Sequence, residues 1–256
     1  MKTEGVKELK IEPILALRDN YIWAIHNGQQ AIVVDPSEFQ PADSFLKEKE
    51  LALQAVFITH HHWDHIGGAK ELQQKHKCMV FAPEKNKIHL PYADVYVNEG
   101  YQISGLGTTF VVQEIPGHTL GHVGYYCCDL GAYFCGDTLF CLAAGKIFEG
   151  NPTMMMQSLD RMRQLPETTQ MYPAHEYTVF TLQFAEKIDP DNSLLKTFKA
   201  QCRDLRKKSQ PTLPTEIGFE KKCNPYLRWD DLALRKLHKH EFASNEEFWN
   251  FIDAAM

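Results

Sequence analysis

The sequence predicts an α/β fold in which packed sheets carry helices outside, followed by a smaller helical segment. Three observations predict it. Short β-rich apolar runs recur through the first half with helical stretches between them. After about residue 176 those runs stop and helical patterns broken by prolines take over. The 256 residues, 44% of them apolar, suffice for one large domain with an appendage.

Taken in order, Ile11 to Ile25 reads as a hairpin or two short strands around Arg18-Asp19-Asn20. Ala31 to Val34 is a buried strand ended by Asp35-Pro36, Ser44 to Glu50 a helix, and Leu53 to Ile58 the next strand. Gly67 to His76 follows as a helix with Leu72 on its inner face. Met79 to Phe81, Tyr92 to Val97 and Thr108 to Glu114 are further strands, and Val123 to Cys128 with Gly131 to Cys135 a second hairpin. Met154-Met155-Met156 opens a helix ending near Leu165, for core packing. Thr178 to Lys208 reads as helices separated at Pro190. Gln210 to Pro214 is a break. Asp230 to His240 and Asn245 to Ala254 are helical again, the last capped by Ser244 or Asn245. The expected division is residues 1–176 and 177–256.

Lys and Arg number 27 against 33 Asp and Glu, a net charge of −6, and no basic arm is present, which argues against nucleic acid as a partner. Met1 to Lys10 is charged without an apolar core, so no secretory leader is expected, and no apolar run is long enough for a membrane span. Seven cysteines form no Cys-x-x-Cys pair, so a disulfide framework is not expected and a reduced, cytoplasmic setting is.

The chemistry starts at Thr59-His60-His61-His62-Trp63-Asp64-His65, directly after an apolar strand. On an extended backbone His60 and His62 leave the same face. Three later segments place ligand-type residues after apparent strands: Gly117-His118-Thr119-Leu120-Gly121-His122, Gly136-Asp137-Thr138, and Pro173-Ala174-His175-Glu176. The candidates are His60, His62, Asp64, His65, His118, Asp137 and His175. One tetrahedral ion takes four ligands, so this set suits two divalent ions sharing one carboxylate. Imidazole and carboxylate donors suit zinc, iron or manganese.

The run His60-His61-His62-Trp63-Asp64-His65 resembles the His-x-His-x-Asp-His signature of the metallo-β-lactamase superfamily. With Gly117 to His122, Gly136 to Phe140, Gly145 to Gly150, Ala174 to Thr178 and Asn224-Pro225-Tyr226-Leu227-Arg228, the chain resembles the hydroxyacylglutathione hydrolases, or glyoxalase II, from about Ile14 to Arg228. The resemblance implies a four-layer αββα sandwich followed by a helical substrate-binding domain. It implies that His60, His62 and His118 hold one metal ion, that Asp64, His65 and His175 hold the other, and that Asp137 bridges them. It also implies hydrolysis of S-D-lactoylglutathione to D-lactate and glutathione, with zinc as first choice of metal and a monomer as the working form. Asp64 and Asp137 are the catalytic candidates. Lys146 and Tyr177 match positions that contact the thiol part of the substrate, and Phe148 stands where some relatives carry Tyr.

The chain departs from the family in one place. Many relatives carry Arg and Lys near the C-terminus to meet the glycine carboxylate of glutathione, whereas Asn245 to Met256 holds neither. Lys236 and Lys239 are the nearest upstream cations. Asp35 is expected to brace the metal loop or cap a turn, and His122 to orient His118 or pack nearby. His26, His76, His89, His238 and His240 are expected at the surface. Rival readings are another enzyme of the fold (a different thioester hydrolase, a lactonase or a persulfide dioxygenase) and a non-catalytic metal-binding protein.

Overall fold

The computed structural model describes residues 8–238 and 240–256, so Met1 to Lys7 and Lys239 lie outside the described residues. The chain forms two packing units. One runs to Glu114 and includes Gly121–Gly136; the other joins Ile115–Leu120 to Asp137–Met256.

In the first unit, β1 (Lys10–Ala16), β2 (Asn20–His26), β3 (Gln30–Val34), β4 (Ala52–Phe57), β5 (Met79–Pro83) and β6 (Val95–Val97) form one sheet in that order. The β1–β2 hairpin closes over Leu17-Arg18-Asp19, with Ala16 opposite Asn20 and Leu17 at φ +49°. From β3 onward the pairs are parallel, so each connection must cross the sheet. α1 (Phe39–Glu48) makes the first crossover; α2 (Trp63–Ile66) and α3 (Ala69–His76) make the next. Parallel strands put their carboxyl ends on one edge, where open α/β sheets bind ligands. Asp35 and Thr59-His60 stand on that edge, after β3 and β4.

Leu46 of α1 and Ala69 and Leu72 of α3 join Ile22, Val33, Val56 and Val80 in one buried cluster, so the helices cover one face of the sheet. The other face meets β7 (Gln102–Gly105), β8 (Thr108–Glu114), β9 (Val123–Cys127) and β10 (Ala132–Gly136), an antiparallel run. Phe57 sits between the sheets, stacked on Tyr125 at 4.7 Å and edge-on to Phe110 at 5.2 Å. Tyr125 also donates its hydroxyl to the Ile58 carbonyl at 2.7 Å, tying the second sheet to the start of the metal loop.

The second unit contains the short hairpin β11 (Leu139–Phe140) and β12 (Ala143–Ala144), then α4 (Pro152–Arg163), β13 (Gln170–Pro173), α5 (Thr178–Ile188) and α6 (Ser193–Lys207). β14 (Thr215–Glu216), α7 (Ile217–Cys223), α8 (Leu232–Lys236) and α9 (Asn245–Ala255) complete it. Asn151 caps α4 ahead of Pro152, Asn192 caps α6, and Ser244 caps α9, each accepting from a first-turn amide. Met155, Leu159 and Met162 of α4 are buried, as are Tyr226, Phe248, Trp249 and Ile252. Tyr226 packs edge-on to Trp249 at 4.8 Å.

Several expectations shift. α1 begins at Phe39 rather than Ser44, because Pro41 falls in the first turn, where no intrahelical donor is lost. β7 was not expected: Gln102-Ile-Ser-Gly is too short and polar to register as a strand. The helix expected over Asp230–His240 is one short turn at Leu232–Lys236, capped by Asp231. His26 is 5% exposed rather than at the surface; its Nε2 lies 2.7 Å from Glu12. All seven cysteines are free; only Cys128 is exposed.

Asp43 of α1 is buried and meets Lys47, Lys75 and His76 at 2.7, 2.7 and 3.0 Å. Burial pushes its carboxyl up, but the hydrogen bonds from Lys47, Lys75 and His76 outweigh that and hold it well below the usual carboxylate range. A depressed folded-state value stabilises the fold above the ordinary carboxylate pKa and loses that effect as pH falls below it. Asp43→Asn should cost about 1.5–3 kcal/mol at pH 7. Urea titrations at pH 7 and pH 3 should show that gap from wild type closing in acid.

Candidate metal centre

The first unit brings four predicted residues to one loop. His62 ends the extended stretch at ψ 143° and serves as N-cap of α2, which carries Asp64 and His65. His60 Nε2 lies 3.1 Å from His62 Nδ1. Two nitrogens on one tetrahedral ion with bonds of 2.0–2.1 Å are separated by roughly 3.3 Å. The loop presses against the chain after β3: a Cβ at Gly67 would meet the Ser37 carbonyl oxygen at 2.3 Å, and one at Gly68 the Glu38 carbonyl carbon at 2.4 Å. Only glycine fits at these two positions.

Asp35 organises this loop from below. It sits at φ +50°, a region Asp tolerates better than most residues, and is 4% exposed. Its carboxylate accepts from the Thr59 amide at 2.8 Å, the Thr59 hydroxyl at 2.6 Å and His65 Nδ1 at 3.0 Å. With the Thr59 proton given to Asp35, the hydroxyl oxygen is free to accept from His60 Nδ1, 3.0 Å away. His60, His65 and Asp35 thus form one cluster with donor atoms within 4.8 Å. His122 stacks on His60 at 4.5 Å and is fully buried. His61 turns aside, stacked on His89 at 4.2 Å and bonded to Asn86.

The second unit brings three predicted residues together around one carboxylate. Asp137 Oδ2 is 3.6 Å from His118 Nε2 and 3.4 Å from His175 Nε2. All three are buried. His118 donates Nδ1–H to the Lys146 carbonyl at 2.6 Å. A Cβ at Gly145 would lie 1.8 Å from the Asp137 carbonyl oxygen, so this close approach also requires glycine. Tyr177 stacks on His175 at 4.8 Å and 8°. Phe148 meets His118 edge-on at 5.2 Å, and Lys146 Nζ lies 5.4 Å from the Phe148 ring.

The sequence profile of the metallo-beta-lactamase superfamily matches residues 16–175, and that of the hydroxyacylglutathione hydrolase C-terminus matches residues 176–251. The chain is 43% identical over 238 residues to a hydroxyacylglutathione hydrolase of Cupriavidus taiwanensis, covering 89% of each. It is 45% identical over 228 residues to one of Vibrio cholerae, covering 88% of this chain and 89% of that one. The chain belongs to the hydroxyacylglutathione hydrolases, within the metallo-β-lactamase superfamily. Among solved structures, ETHE1 from Myxococcus xanthus superposes with a TM-score of 0.66 at 23% identity, covering 96% of this chain and 90% of that one, a likeness of fold. The expected fold class, an αββα sandwich with a helical C-terminal region, therefore stands.

The donor chemistry of these residues suits divalent metal ions. A backbone carbonyl and an ionised carboxylate only accept, so His118 and His65 must carry their protons on Nδ1. The Thr59–Asp35 bond imposes the same on His60. In the neutral rings each Nε2 then keeps its lone pair for a metal, the usual arrangement of a ligating histidine braced by an outer acceptor.

Thr59 and Asn20 were missed in the sequence. Asn20 donates Nδ2–H to the Asp64 carbonyl at 3.0 Å and to its carboxylate at 3.4 Å. It reads as an ordinary turn residue, and only the strand register brings it to Asp64. Among the described residues, no helix is long and apolar enough to cross a membrane.

Proposed function

We propose that the chain is a binuclear metal-dependent thioester hydrolase converting S-D-lactoylglutathione and water to D-lactate and glutathione. The observation that carries this is the Asp137 carboxylate set between the Nε2 atoms of His118 and His175 in a chain of this family. His60, His62 and His118 would hold one ion and Asp64, His65 and His175 the other, with Asp137 shared. Zinc fits these donors first, with iron or manganese as alternatives. Residues 177–256 act as the helical substrate-binding domain, in a cytoplasmic monomer.

When bound, the ions polarise the thioester carbonyl and bring the pKa of water toward neutrality. The chain's own groups do the rest. Asp64, steadied by Asn20, orients the attacking water. The water oxygen adds to the carbonyl carbon as its proton passes to solvent and the C=O π electrons move onto oxygen; their return breaks the C–S bond, and the thiolate leaves with its electron pair to be protonated by solvent. A thiolate is a good leaving group, so no strong general acid is required. No thiol serves as nucleophile: Cys135 is fully buried, and burial holds the Cys141 thiol well above its ordinary value. Lys146 is placed to pair with a carboxylate of the thiol carrier, Tyr177 to donate its hydroxyl, and Phe148 to offer an apolar edge.

Turnover of a panel of thioesters, lactones and persulfides by metal-loaded protein tests the reading. S-D-lactoylglutathione should be the best substrate; oxygen uptake with persulfide, or lactone hydrolysis alone, would overturn it.

α9 carries no Lys or Arg, so one charge-assisted contact to the glycine carboxylate is absent there. Such a contact is worth about 1.5–3 kcal/mol, or roughly ten- to a hundredfold in affinity. A raised KM with preserved kcat is expected. Steady-state kinetics with the full ester beside one lacking the glycine carboxylate should show similar KM values for the two.

A further inference from the structure

We propose that Glu220 and Asn224, remote in sequence from every metal donor, are positioning residues that hold Asp137 and His118 in place through the tip of the β11–β12 hairpin. The inference rests on the proposed metal centre.

Glu220 is fully buried on α7, with no basic partner among its hydrogen bonds. Its carboxyl accepts from the Leu142 amide at 2.8 Å, Thr215 Oγ1 at 2.6 Å and Asn224 Nδ2 at 2.9 Å. Asn224 Nδ2 also donates to the carbonyls of Ala143 at 3.0 Å and Phe140 at 3.3 Å. The two side chains therefore grip Phe140, Leu142 and Ala143, which are the hairpin tip. Leu142 is buried and stands at φ +63°, a conformation costly for a branched, bulky residue. Such strain persists only where the surroundings over-determine it, and Glu220 supplies the bond that does so.

The base of the same hairpin is the metal site. The Gly145 amide donates to the Thr138 carbonyl at 3.2 Å, closing it. The residue entering that closure is Asp137, and the residue leaving it is Lys146, whose carbonyl fixes His118 Nδ1. A shift of the tip is carried along two-residue strands to both donors. Burying a carboxyl and an amide only to fold a hairpin is costly, since an apolar contact would do. Holding two donors at a set separation gives the polar pair a use.

The test compares Glu220→Gln, which sets an amide donor among three donors, Asn224→Ala, which releases the tip, and Asn224→Ser, which keeps a shorter donor. Glu216→Ala, exposed at the start of α7 and outside the hydrogen bonds of Glu220 and Asn224, serves as control. Folding is checked by circular dichroism and Tm. Metal affinity is read by chelator competition, and ligand geometry by the visible spectrum of the cobalt-substituted protein. Folded Glu220→Gln and Asn224→Ala should bind at least one ion about 10- to 100-fold more weakly. They should also show an altered cobalt spectrum and a lower kcat at unchanged KM. Asn224→Ser should recover part of this, and Glu216→Ala should match wild type. Variants with lowered Tm but wild-type affinity and spectrum would make the pair merely structural and overturn the proposal. Should Glu220→Gln not fold, the Asn224 pair decides alone. Wild type that binds no ion would instead remove the metal centre itself.

Discussion

Asp137→Ala is expected to remove most turnover and to loosen both metal ions. The carboxylate stands 3.6 and 3.4 Å from two histidine nitrogens on its own unit, so its loss removes the anion common to both. Removing an outer partner of a metal ligand costs roughly 10–100-fold, and a shared ligand should cost more than that, about 10³-fold or beyond. Elemental analysis after dialysis should find two ions per wild-type chain and one or none in the variant. A variant that retained two ions and ordinary turnover would refute the shared role.

Asp35→Ala should be the most destabilising single change at the site, although Asp35 is not among the proposed ligands. It leaves the Thr59 amide, the Thr59 hydroxyl and His65 Nδ1–H facing a buried gap. Each unsatisfied buried donor costs about 1–3 kcal/mol, so a loss of about 3 kcal/mol or more in urea unfolding of the metal-free protein is expected. Because His60 and His65 are both braced through this carboxylate, metal affinity should fall with it. Stability within about 0.5 kcal/mol of wild type would show that water fills the gap and that Asp35 braces nothing.

What could be read from the sequence follows from the strength of each local signal. His60, His62, Asp64 and His65 stand out because four metal-binding side chains crowd one loop after an apolar strand. The helical tail stands out because helical patterns broken by prolines replace the β-rich runs there, and because Ser244 is a strong cap. The rest depends on tertiary contact. Glu220 reads as an exposed helix charge beside Lys221 and Lys222, and nothing local betrays three donors converging on it. The two-residue strands of the Leu139–Ala144 hairpin are too short to show alternation. His26 looks like a strand-end polar residue until Glu12 is brought across the β1–β2 register. His122 was expected to orient His118 or pack nearby, and it packs flat on His60.

The distribution of thiols has a practical bearing on how such a protein is handled. Burial pushes Cys78 and Cys202 up to about 11 and Cys223 up to about 12, so these sulfurs stay protonated and slow to oxidise in neutral buffer. Cys128 alone faces solvent. A chain carrying Cys128→Ser can therefore be purified and titrated with ions in the absence of dithiol reductants, which would otherwise compete for those ions and blur every stoichiometry measured.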